Sequence, residues 1–152
     1  MGLKQRRAMK DFMENQLPQH LQEIRDIVGY EIEVEIDESS SQIEDNRAHL
    51  LEASWADGFM VPLKQALRNV CIDELGKEAM EASVKKIRLF YREFPPGRDV
   101  DRRKITFDNG VLSINRKPGL ATPTPPSERY PNGDSIWQDL LKSFQVGIEE
   151  NL

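Results

Sequence analysis

Between Tyr30 and Glu38 the chain alternates strictly, with Tyr30, Ile32, Val34 and Ile36 set against Glu31, Glu33, Glu35 and Asp37. Side chains of a strand point to opposite faces with a period of two, so this segment predicts a strand that is oily beneath and anionic on top. Ile87, Leu89 and Tyr91 alternate in the same way with Arg88, Phe90 and Arg92, which predicts a second strand with one basic face. A tight hairpin is expected where Lys104–Phe107 and Val111–Ile114 flank Asp108-Asn109-Gly110, because Asn-Gly accepts the positive φ angles of a two-residue turn.

Elsewhere the period is helical. Met9, Phe12, Met13, Leu17, Leu21, Ile24 and Val28 recur at three or four, and Pro18 divides them into expected helices over 3–15 and from Pro18 to before Gly29. A short helix is expected from Ile43 to Trp55, ended by Asp57-Gly58. Another starts at Pro62 and carries Leu63, Leu67, Val70, Cys71, Leu75, Ala79 and Ala82 on one face, with Gly76 as a place to bend. Residues 117–133 hold five of the nine prolines and no periodicity, so they read as an extended surface connection. A last helix follows, with Ser135 and Gln138 expected to form its capping box and Ile136, Trp137, Leu140, Leu141 and Phe144 on its apolar face.

These elements imply an α+β chain of two layers: about four mostly antiparallel strands, helices on one face, and a C-terminal helix docked after the proline-rich segment. One domain over 1–152 is expected, since 152 residues suffice for a core without metals or disulfides. That core should contain Phe12, Leu21, Ile24, Val34, Ile36, Leu67, Val70, Leu89, Ile105, Leu112, Ile114, Trp137, Leu141 and Phe144.

Charge changes the picture in one place. The net charge is −5, yet residues 30–58 hold nine acids against a single base, Arg47. An acidic chain without a dominant basic stripe argues against general nucleic-acid binding, which relies on Lys and Arg at phosphates. Arg98, Arg102, Arg103 and Lys104 form a local basic run, but Asp99 and Asp101 dilute it. With Cys71 as the sole cysteine, no disulfide within the chain can form. There is no secretory pattern at the start and no apolar run long enough to span a bilayer, so a cytoplasmic protein without membrane attachment is expected.

No motif names a reaction, and neither a catalytic residue nor a cofactor is expected. Glu31, Glu33, Glu35 and Asp37 would span about 20 Å of one strand face, suited either to steering a basic partner or to blunting a sheet edge. The first reading is therefore an interaction protein, an adaptor or chaperone-like module, that binds a protein partner through this acidic row or through the C-terminal helix at Trp137 and Phe144. An edge strand and an apolar patch would also suit a second copy of the chain as partner. The alternative is a metal-assisted hydrolase, in which Asp45, His49 and Glu52, at spacings of four and three, share a divalent ion from one helix face. His20 reads as a solvent-facing histidine among Gln19, Gln22 and Glu23, and Cys71 as a small buried hydrophobe. Pro123, Pro126 and Arg129 make a short PxxP match, for which a rigid spacer is the plainer role.

Overall fold

A computed structural model describes residues 2–37, 49, 53, 55–91, 105–116 and 124–152. Helix α1 (Leu3–Asp11) runs through a π-helical turn (Phe12–Gln16) into α2 (Leu17–Val28), and strand β1 (Glu33–Ile36) follows. A second π-helical turn (Ala56–Met60) leads into α3 (Val61–Val70), then α4 (Glu74–Ser83) and β2 (Lys86–Phe90). The hairpin β3 (Ile105–Asp108) and β4 (Val111–Asn115) precedes the C-terminal helix α5 (Ser135–Glu149).

The two π-helical turns have one cause. Proline has no N–H to give the carbonyl four residues back, so Pro18 deserts Glu14 and Pro62 deserts Gly58. The chain widens its ladder rather than breaking: Leu17 N–H reaches the Phe12 carbonyl and Val61 N–H that of Ala56, both five residues back. The expected stop at Pro18 is thus replaced by a continuous helical run. Asp57-Gly58 likewise lies within a helical turn instead of ending one.

The described strands form one four-stranded sheet in the order β1-β2-β4-β3. β1 pairs with β2 in parallel and β2 with β4 in parallel; only β3 and β4 are antiparallel. The architecture is α+β, as the alternation implies, but the expectation of a mostly antiparallel sheet is overturned. Helical chain, α3 and α4 included, separates β1 from β2 and returns the backbone to the same end of the sheet, so the two strands run the same way. The β3–β4 turn is the expected two-residue one: Asp108 pairs with Val111, while Asn109 and Gly110 have φ of 49° and 80°.

Ile87, Leu89, Leu112, Ile114 and Ile105 point from the sheet into one buried cluster with Phe12, Ile24, Trp55, Phe59, Met60, Leu63, Leu67, Met80, Phe144 and Ile148. Of the expected core, Leu21, Val34 and Leu141 are only partly buried. The stripe beyond Pro62 divides at Cys71–Asp73, before Gly76. There the Asp73 carboxylate accepts the Gly76 N–H at 2.8 Å and caps α4. Gly76 is required because a Cβ would lie 1.8 Å from the Val70 carbonyl oxygen. At α5 the cap is Asp134 and not Ser135: one oxygen accepts Trp137 N–H at 2.8 Å, the other Thr124 N–H at 2.9 Å. Gln138 does reach back, but its amide donates to the carbonyls of Asn132 and Gly133.

Candidate functional site

Two groups of polar side chains stand out, one on each side of the sheet. The first is the acidic row. Ile32 and Ile36 are buried while Glu31, Glu33 and Glu35 are exposed, so the two-sidedness read from the sequence holds. Parallel pairing places Glu33 opposite Lys86 and Glu35 opposite Arg88 on the face away from the core. Lys86 Nζ lies 2.7 Å from Glu35 and 3.7 Å from Glu33; Arg88 lies 3.8 Å from Asp37 and over the Phe90 ring, 4.7 Å from its centre; Arg25 lies 3.4 Å from Glu31. Every carboxylate of the row therefore has a cation of this chain nearby. The basic face of β2 answers the acidic face of β1, a complementarity that sequence alternation held on both strands but could not pair. The ammonium of Lys86 holds the Glu35 carboxyl below its ordinary range, and Glu35 in turn raises Lys86. Glu33 remains 72% exposed and Glu35 48%, so these pairs sit in water and contribute little to folding.

The second group lies between the helices, with Lys64 buried and His20 and Glu23 half-buried. Lys64, on the first turn of α3, donates to the Glu23 carboxylate and, at 3.0 Å, to Nδ1 of His20 on α2. Lys64 is a buried residue, against the expectation for a lysine following an apolar start. An ammonium can only donate, so Nδ1 must accept and the proton of neutral His20 sits on Nε2. Burial lowers the His20 pKa, the Lys64 charge lowers it further, and Glu23 and Asp57 oppose them. The Lys64 hydrogen bond holds the Glu23 carboxyl below its usual value. His20 is thus a part-buried, bonded residue rather than the solvent-facing one read from its polar neighbours.

An aromatic stack floors this group. Trp55 and Phe59 stack with centres 4.7 Å apart, Phe12 stacks on Trp55 at 6.4 Å, and the His20 ring lies 6.3 Å from Phe12. On the far side, Arg116 donates to the Gly58 carbonyl, the acceptor that Pro62 deserts, with its guanidinium 5.9 Å from the centre of Phe59. Burial lowers the Arg116 pKa. His20 and Lys64 each lie two residues beyond a proline, so both π-helical junctions converge on one place. A proline followed two positions later by a basic residue marks both, but the same spacing recurs at Pro96 and Arg98, so nothing in the sequence singles this place out.

Trp137 and Phe144 are each 3% exposed. Trp137 packs under the turn at Gly133, where a Cβ would lie 2.3 Å from its ring, and Phe144 belongs to the core cluster. On α5 it is Val146 that reaches solvent. Asp45 and Glu52 of the metal alternative lie outside the described residues, as do Arg98, Arg102, Arg103, Lys104 and Pro123, while His49 is described and exposed. Among the described residues no three His, Cys, Asp or Glu side chains gather as a metal site would require. Cys71 is buried, and burial raises its thiol pKa. No described helix is long and apolar enough to cross a membrane. Comparison of the chain with family models, with curated proteins and with solved structures finds no match.

Proposed function

We propose that this chain is a non-catalytic interaction protein, an adaptor or chaperone-like module, whose binding surface is the face of the sheet at β1 that points away from the described helices. The observation that carries the reading is Glu33, together with Glu31: both are largely exposed at the edge strand and held only loosely, at 3.7 and 3.4 Å, by Lys86 and Arg25. A cationic segment of a protein partner can take the place of either cation without uncovering any core side chain. Phe90, half-buried beside Arg88 on the same face, adds apolar area of the kind that protein partners cover. The burial of Trp137 and Phe144 moves the surface away from the C-terminal helix. A second copy of the chain, itself bearing cations, is one partner of this chemistry.

The test is recovery of partners from native extract by the wild type and by the triple variant Glu31→Gln, Glu33→Gln, Glu35→Gln, at low and moderate salt. The expected result is a protein retained by the wild type, released by salt and lost with the variant. Identical recovery by both proteins would refute the assignment to this face.

A further inference from the structure

Beneath the helices, independently of the sheet face, we propose that His20, Lys64 and Glu23 form a proton-operated latch that holds α2 to α3 and opens when His20 takes up a proton. The latch spans two elements: His20 and Glu23 belong to α2, and Lys64 belongs to α3. At neutral pH Lys64 satisfies two acceptors at once, the Glu23 carboxylate and His20 Nδ1. When Nδ1 is protonated it becomes a donor, Lys64 loses that acceptor, and two cations then face each other across 3.0 Å.

The charged groups around the imidazole are Lys64 from α3, Glu23 from its own helix and Asp57 from the π-helical turn before α3. Phe12, from the turn before α2, supplies only a ring. The Lys64 hydrogen bond holds the Glu23 carboxyl below its ordinary value, so Glu23 is ionised at neutral pH, and its primary bond is to Lys64. Its pull on the imidazole ranks below burial and the Lys64 charge, so it does not cancel them.

The position makes the latch consequential. His20 and Lys64 sit just after Pro18 and Pro62, where each helix has given up a regular backbone bond. A cross-helix side-chain bond there ties together the two places where the backbone ladder is irregular. Behind it stand Trp55 and Phe59, both almost wholly buried.

The sign follows from linkage. His20 binds its proton less readily in the folded chain than in the unfolded one, so the stabilisation is complete above about pH 6.5 and is lost as pH falls below it. In that window the opening equilibrium rises by up to about tenfold per pH unit, until the folded pKa is reached.

Two measurements on the full chain test this. Proton NMR titration of the two histidines, assigned with His20→Gln and His49→Gln, should give His20 a midpoint below 6.5. Hydrogen exchange, corrected for intrinsic rates, should show the first turns of α2 and α3 and the Trp55 indole N–H losing protection below pH 6.5 in the wild type and in His49→Gln, but not in His20→Gln. If His20→Gln does not fold, the wild-type titration and exchange decide alone. Protection in α2 and α3 that ignores pH across the His20 midpoint, or that falls equally in His20→Gln, would overturn the proposal.

Discussion

The interior cluster at Lys64 and the outer ladder at Lys86 use the same ion pair, a lysine on a carboxylate, in opposite surroundings. Lys86 shares Glu33 and Glu35 in water, where solvent replaces any partner that is lost. Lys64 is itself buried between helices, where among the described residues Glu23 and His20 take its protons. Pairing is thus optional on the sheet face and obligatory under the helices. The optional pairs are the ones a partner can borrow.

This contrast can be broken at several points. Trp55→Ala empties the centre of the helical side and should cost about 3–5 kcal/mol in denaturant unfolding, because a wholly buried ring leaves a cavity that the helices fill poorly. Glu23→Gln leaves the Lys64 ammonium without its counter-charge; with Glu23 itself partly exposed, the loss should be about 1–2 kcal/mol, and Lys64→Met should cost less than Glu23→Gln because it removes the stranded charge as well. Equal losses for the two variants would show that Lys64 stabilises by its charge and not merely tolerates burial. Arg116→Met removes the donor at the Gly58 carbonyl and should cost about 1 kcal/mol, seen as a lower thermal midpoint. Glu33→Gln with Glu35→Gln should have the smallest effect, leaving the thermal midpoint at moderate salt nearly unchanged. A loss there as large as that from Glu23→Gln would erase the distinction between the two sides.

Much of the scaffold was legible in the chain. The alternation from Tyr30 to Asp37, the Asn109-Gly110 turn and the apolar faces of α2 and α5 all rest on local periodicity or on φ, which sequence carries directly. Strand direction was not legible, because a period of two is the same read either way and the helices between β1 and β2 set the parallel course. Nor was the interior polar cluster. Lys64 follows Leu63 as an ordinary helix residue, and its contact with His20 depends on how α2 and α3 pack, which neither helix encodes alone. The acidic row was read correctly as a face, but its neutralisation by Lys86 and Arg88 depends on a register that no single strand encodes.

Tyr30 guards that register. Its hydroxyl lies 2.6 Å from the Val84 carbonyl and 3.1 Å from that of Met80, fastening the entry of β1 to the exit of α4 just ahead of β2. Burial raises its pKa, so the phenol keeps the proton it donates. A slip of one residue between β1 and β2 would turn Glu33 and Glu35 toward Leu89 and the hydrophobic interior, and strand Val34 in water. One phenol thus adds an alignment pin to a ribbon whose buried Ile32 and Ile36 already set which side faces the world.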